Sequence, residues 1–149
     1  MNIAEPHKKL RELMRQLERK TGALNDFQMA CCNITMAQCH ALVEIGRAGR
    51  ISLIELSEAL GLENSTVSRT VNHLVNAGVV SRETDPSNRR YVIISLSEDG
   101  QRVFEGIETG MGLYYKQLLR KIPEEKQEEV LDSIQILLDA FEALGEEQL

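Results

Sequence analysis

Apolar residues recur every three or four positions along much of this chain, which is the spacing of one face of an α-helix. In the first stretch, the apolar residues from Leu10 to Phe27 are separated by lysines, arginines and other polar residues. This pattern predicts a long amphipathic helix at the start of the chain, ending at about Phe27.

Two helix starts are marked by capping pairs, in which Thr or Ser is followed three positions later by Gln or Glu. These pairs are Thr35 with Gln38 and Ser52 with Glu55. Glycine closes helices because it adopts the left-handed conformation without strain. The helix that begins at Thr35 is therefore expected to end at Gly46 and Gly49. The two-turn helix that follows Ser52 is expected to stop at Gly61.

A third short helix is predicted from Ser65 to Ala77, with one apolar face and a stop at Gly78. Beyond that glycine the pattern changes from helical to extended. Residues 79–84 and 91–96 are rich in β-branched side chains, and the Asp-Pro-Ser-Asn segment at 85–88 has the composition of a turn. These segments predict a β-hairpin with a long tip.

The C-terminal third of the chain returns to helical spacing. Ser97 is expected to cap a long helix that contains glycines at positions 106, 110 and 112, and Pro123 is expected to open a last helix. The apolar faces of the helices at both ends of the chain are too wide to be covered by the small central segment. The pattern therefore predicts a mainly α protein with a small β-hairpin (α+β), whose terminal helices pack together and form a homodimer.

The central elements follow the order of a winged helix-turn-helix, with a tight turn at residues 61–64. In that arrangement the second short helix enters the major groove of DNA, where hydroxyl, amide and arginine side chains bind base edges and phosphates. Arg89 and Arg90, expected at the tip of the hairpin, can reach the adjacent minor groove. The face of the helix left free by its apolar residues carries Ser65, Thr66, Ser68, Arg69, Asn72 and His73.

The same polar residues could instead cap the helix and cover a solvated face. The hairpin with its two arginines, at the right distance along the chain, favours DNA binding. The alternative function is a winged-helix interaction module that dimerises without binding DNA. An enzyme is not expected, because the sequence shows no phosphate loop, no nucleophile elbow and no paired carboxylates in a pocket pattern.

Charge is unevenly distributed along the chain, whose net charge is -6 at pH 7. Residues 97–149 hold 5 Lys and Arg against 13 Asp and Glu, a net of -8, whereas residues 64–92 hold 4 against 2, a net of +2. The segment expected to contact DNA is thus mildly basic within an acidic protein. No apolar run approaches the roughly 18 residues of a membrane span, and no secretory signal is apparent. A cytoplasmic protein with no membrane partner is expected.

The segment SLIELSEALGLENSTVSRTVNHLVNAGVVSRETDPSNRRYVIISLSEDG, residues 52–100, resembles the DNA-binding core of the multiple antibiotic resistance regulator (MarR) family. The family's wing signature places an acid two positions before an arginine, and these positions are Asn88 and Arg90 here. Asn88 is a departure, because an amide can offer only a neutral hydrogen bond where an acid would form an ion pair.

The length of the chain predicts a single domain over residues 1–149, and the resemblance implies a winged helix-turn-helix DNA-binding lobe at 35–96. Residues 4–30 and 97–149 would form the flanking N- and C-terminal dimerisation helices. It further implies a homodimer on a pseudo-palindromic double-stranded DNA operator, and repression more often than activation. In that family a small effector or an oxidant commonly releases the DNA.

Three cysteines and a histidine lie near the junction of the first two predicted helices: Cys31, Cys32, Cys39 and His40. Soft ligands at this spacing could hold a thiophilic species such as arsenite or zinc, or two thiols could form a reversible disulfide. The spacing lacks the CxxC pattern of a strong zinc signature, and free cysteine often packs as a small apolar residue. A thiol or metalloid sensor and a structural role are both left open, and no cofactor is required.

Overall fold

A computed structural model of the chain describes residues 5–32 and 34–148, and it describes side chains for residues 5–24 and 34–147. This part of the chain is mostly helical with one small antiparallel sheet, which confirms the predicted fold class. The elements in chain order are α1 (Pro6–Cys32), α2 (Met36–Ala48), β1 (Arg50–Ser52), α3 (Leu53–Leu60), α4 (Asn64–Asn76), β2 (Val80–Asp85), β3 (Asn88–Leu96), α5 (Glu98–Arg120) and α6 (Glu124–Gln148).

Both predicted capping pairs form complete capping boxes. The Thr35 hydroxyl accepts from the Gln38 N–H at 3.2 Å, and the Gln38 side chain accepts from the Thr35 N–H at 3.2 Å. Ser52 and Glu55 repeat the exchange at 3.1 and 3.3 Å. Each box satisfies N–H groups that the first turn of a helix would otherwise leave unpaired. Gly61, left-handed with φ 66°, ends α3 as predicted.

The prediction that Gly46 helps to end α2 is wrong, since the helix continues to Ala48 and ends at Gly49, where φ is 79°. Gly46 has a packing role instead. A Cβ added at this position would overlap the ring of Phe104 in α5. The close approach of α2 and α5 therefore accounts for a glycine inside a helix, where it would otherwise be unfavourable.

The sheet has three strands in the order β1-β3-β2, all antiparallel. The sequence indicated β2 and β3 but not β1, whose three residues pair Arg50 with Ser95, Ile51 with Ile94 and Ser52 with Ile93. A strand of three residues is too short to show an alternating pattern. Its last residue, Ser52, is also the N-cap of α3, so the strand passes directly into the helix-turn-helix.

The chain forms two compact units, one up to residue 106 and one from residue 107 onward. The first unit holds a core to which α2, α3, α4 and the sheet all contribute, with α2 in contact with α3, α4, β1 and β3. The predicted single domain and its flanking dimerisation segments stay predictions. The buried apolar side chains of this unit are Ala41, Leu42, Ile45, Leu56, Val67, Val71, Leu74, Val80 and Ile94.

The second unit consists of the later part of α5 and all of α6. The turn between them is held by Gln127, whose side-chain N–H group donates to the carbonyl oxygens of Leu119 at 3.0 Å and Ile122 at 3.1 Å. Many large apolar side chains of this unit are about half exposed, among them Leu113, Leu118, Leu131, Ile134, Leu138, Phe141 and Leu144. No helix in the described residues is long and apolar enough to cross a membrane.

Candidate nucleic-acid interface

Helix α4 is oriented by three buried anchors, Val67, Val71 and Leu74, each no more than 1% exposed. Residues spaced by four and three positions lie on one face of a helix, so these anchors fix which residues point outward. Four of the six predicted interface residues on α4 are exposed, and two are half-buried. The exposed ones are Ser65, Arg69, Asn72 and His73, and the half-buried ones are Thr66 and Ser68.

The N-terminus of α4 begins at Asn64, one residue before the predicted start. Its N-cap residue, Glu63, makes no side-chain cap hydrogen bond, unlike the N-caps of α2 and α3. Without a capping acceptor, the first N–H groups of this helix can donate to an anion, and a phosphate is a suitable acceptor at a helix N-terminus.

The hairpin tip is shorter than the sequence predicts. Asp85 pairs with Asn88, so only residues 86 and 87 form the turn, and Arg89 and Arg90 lie within β3 instead of at the tip. The register then shifts, because Thr84 pairs with Val92. Residues 89–91 are thus extra residues on β3, and such a bulge bends the strand and redirects its side chains. Both arginines are exposed there.

Side chains of the turn itself hold the wing in shape. One carboxylate oxygen of Asp85 accepts from the Ser87 N–H at 2.9 Å and from the Ser87 hydroxyl at 2.7 Å. Hydrogen bonds to a carboxylate favour its charged form, so the Ser87 hydroxyl, followed by the Ser87 amide, lowers the pKa of Asp85 below its ordinary value. The turn is therefore held by an ionised Asp85 at neutral pH.

Asn88, the departure from the wing signature, holds the backbone of Arg90. Its side-chain oxygen accepts from the Arg90 N–H at 3.1 Å. The amide thus fixes the main chain of the bulge, a function that needs an acceptor but no charge. This arrangement explains how the wing keeps its shape with asparagine at a position where the family signature has an acid.

Sequence reasoning missed Arg82. The guanidinium of this residue, on β2, donates to the side-chain oxygen of Asn72 on α4. The sequence contains one signal for it: residues 64–92 hold four arginines, and the predicted DNA contacts include all of them except Arg82. All four arginines of this segment are exposed, and against its two acidic residues they give the segment a net charge of +2 in an acidic protein.

The cysteine hypothesis rests partly on residues outside the described side chains. Cys31 and Cys32 are the last residues of α1, and nothing is described of their side chains. Cys39 is half-buried on α2, and His40 beside it is exposed. Among the side chains that are described, no group of three His, Cys, Asp or Glu residues could hold a metal ion. A thiol or metalloid site at the four positions stays a prediction.

The sequence of this chain is similar to those of known DNA-binding regulators. A model of the MarR family matches residues 34–92. The HTH-type transcriptional regulator YfiV of Bacillus subtilis is 24% identical over 110 residues, which cover 74% of this chain and 69% of that protein. These matches confirm the resemblance found in the sequence.

Two solved structures share the fold. FabT of Streptococcus pneumoniae, in complex with DNA, has a TM-score of 0.85 and 17% identity, covering 93% of this chain and 99% of that one. A mutant MarR of E. coli, complexed with operator DNA, has a TM-score of 0.74 and 22% identity, covering 95% and 99%. At these identities the likeness is one of fold.

Proposed function

We propose that the chain, whose residues 34–92 match a model of the MarR family, is a sequence-specific DNA-binding regulator that acts as a repressor. Members of this family are transcription regulators and not enzymes, in agreement with the sequence. We propose that α4 lies in the major groove and that the bulged wing lies along the adjacent minor groove.

One observation carries the proposal: the polar face of α4 and the bulged wing belong to one packed lobe. Helix α4 contacts β2, and Arg82 of β2 is hydrogen-bonded to Asn72 of α4. The helix and the wing are therefore held in one arrangement before DNA is bound. Such preorganisation lowers the entropic cost of binding. The two neighbours solved with DNA, FabT and MarR, support the proposal because they share this fold.

A homodimer is the second part of the proposal. Apolar side chains of α1 are about half exposed, including Leu10, Leu13 and Leu17, and those of α5 and α6 are exposed to a similar extent. Large contiguous apolar patches exposed to solvent mark sites of protein association. A twofold dimer would present two copies of α4, about one DNA turn apart, to a pseudo-palindromic operator.

Fluorescence anisotropy with labelled DNA from the protein's own promoter region tests the proposal. We expect binding at physiological salt that is at least about 10³-fold tighter than to a scrambled duplex. We also expect the affinity to fall steeply as salt rises, because several phosphates are neutralised. The stoichiometry should be two chains for each operator. Equal, weak binding to both duplexes would contradict the proposal and favour the interaction module.

The effector part of the proposal concerns the four positions Cys31, Cys32, Cys39 and His40. We propose that a small effector, a thiophilic ion or an oxidant acting near the junction of α1 and α2 releases the DNA. The same anisotropy assay is repeated with arsenite, zinc or a hydroperoxide present. Release of the wild type but not of the triple Cys→Ser variant would support a thiol sensor. Equal responses of the two proteins would contradict it.

Replacing Arg90 with alanine is expected to weaken binding to all DNA sequences to a similar extent. The side chain lies in the bulge and is exposed, so its contribution is to phosphates and to the potential of the minor groove. Loss of one such contact lowers the slope of log affinity against log salt by about 1. The measurement is a salt titration of both proteins on the operator and on the scrambled duplex.

The control for Arg90→Ala is Arg102→Ala. Arg102 is also an exposed arginine, but it lies on α5, where it is paired with Asp99. Its removal changes the net charge equally, and the salt slope should stay close to that of the wild type. If the two variants had the same slope, the wing would not be a DNA contact.

A further inference from the structure

The hydrogen bond between Arg82 and Asn72 has a consequence for base recognition. We propose that Arg82 is a specificity-determining residue, which holds the Asn72 amide so that it reads guanine in preference to adenine. This inference rests on the proposed DNA-binding function.

Arginine fixes the orientation of the asparagine amide. A guanidinium has only N–H donors, so the group of Asn72 that faces it must be the oxygen. The NH2 group of Asn72 then points away from Arg82. Without Arg82, the Asn72 amide would be free to rotate so that its oxygen and its NH2 group exchange positions.

The fixed amide favours some base edges over others. Asparagine reads adenine with both ends of its amide: the oxygen accepts from N6–H and the nitrogen donates to N7. In this protein the Asn72 oxygen already accepts from the Arg82 guanidinium. The N6 amino group of adenine is a donor, and it would face the donor groups of Arg82 and of the Asn72 NH2. Guanine presents two acceptors, N7 and O6, to the major groove. The Asn72–Arg82 pair offers only donors, so it complements guanine.

Both members of the pair stand on rigid supports. Arg82 pairs in the sheet with Ile94, which is fully buried on the central strand β3. Asn72 directly follows the buried anchor Val71 on α4, and it lies one turn beyond Arg69 on the exposed face. The hydrogen bond therefore joins two ordered elements, and the orientation that it imposes is available before DNA arrives.

The experiment measures base preference at a single operator position. Anisotropy is recorded for the wild type, Asn72→Ala, Arg82→Met and the double variant on operators substituted one base pair at a time. The position read by Asn72 is identified as the operator position at which Asn72→Ala no longer distinguishes between base pairs. There the wild type should favour guanine, and Arg82→Met should move the preference toward adenine by about ten-fold. In the Asn72→Ala background, Arg82→Met should leave the preference unchanged.

Two controls make the result decisive. Arg82 is exposed, so its replacement should leave the fold intact, and circular dichroism checks this. Arg82→Lys keeps a charged donor and should retain the guanine preference. A uniform loss of affinity in Arg82→Met, with the base ranking unchanged, would make Arg82 a phosphate contact and overturn the inference. A wild type without specific binding would instead defeat the proposed function itself.

Discussion

Replacing Gly100 with alanine is expected to destabilise the winged-helix unit by about 3 kcal/mol, the cost of forcing a methyl group into a filled space. Gly100 lies in the first turn of α5 and is buried. A Cβ at this position would overlap the carbonyl oxygen of Val79, in the segment that joins α4 to β2. A backbone carbonyl cannot rotate away as a flexible side chain can, so the two segments must separate.

Separation would break a set of hydrogen bonds that closes the base of the hairpin. The Ser97 hydroxyl accepts from the Gly100 N–H at 3.0 Å and donates to the Gly78 carbonyl at 2.6 Å. The Ser97 N–H donates to the Val79 carbonyl at 3.1 Å. The loss of these hydrogen bonds adds to the steric cost. Gly100 is therefore required by the approach of α5 to the segment that follows α4.

Urea denaturation at a fixed protomer concentration measures this effect, since unfolding of the proposed dimer would depend on concentration. The matched control is Gly106→Ala in the same helix, where an added Cβ meets nothing within 4 Å. Alanine is favoured over glycine inside a helix by roughly 0.5–1 kcal/mol, so this control should be neutral or stabilising. If both variants unfolded at the same urea concentration, the proposed clash at Gly100 would be absent.

Elements set by local chemistry could be predicted from the sequence. The starts of α2 and α3 follow from their capping boxes, and the outward face of α4 follows from the spacing of Val67, Val71 and Leu74. These features depend on residues within a turn or two of each other. The resemblance to the MarR family could be found in the same way, because the winged-helix order is a succession of such local elements.

Features set by tertiary contacts could not be predicted in this way. The sequence around Gly46 indicates a helix stop, because the ring of Phe104, far along the chain, gives no local signal. Strand β1 exists because β3 pairs with it, and the bulge at residues 89–91 depends on the register of β2 and β3. Arg82 acquires its role from a partner ten positions earlier in a different element. Each of these needs the fold before it can be recognised.

Replacing Leu42 with alanine is expected to lower the free energy of unfolding by about 3 to 4 kcal/mol, within the range for a fully buried leucine. Leu42 is 0% exposed and lies on α2, the helix that contacts α3, α4, β1 and β3. The loss combines the transfer free energy of the removed methyl groups with the cost of the cavity that they leave. Because a protein of this size is stabilised by only about 5–15 kcal/mol, such a loss is a large fraction of the total.

Leu62→Ala provides the comparison, because the same atoms are removed from a side chain that is 46% exposed. Its cost should stay below about 1 kcal/mol, since a half-exposed leucine loses less transfer free energy and leaves no closed cavity. Urea denaturation of both variants at one protomer concentration gives the difference. Equal midpoints would mean that Leu42 is not at the centre of the core. At temperatures where Leu42→Ala remains folded, its affinity for the operator should equal that of the wild type. The substitution lowers the stability of the fold that supports α4 and the wing, but it leaves their polar side chains unchanged.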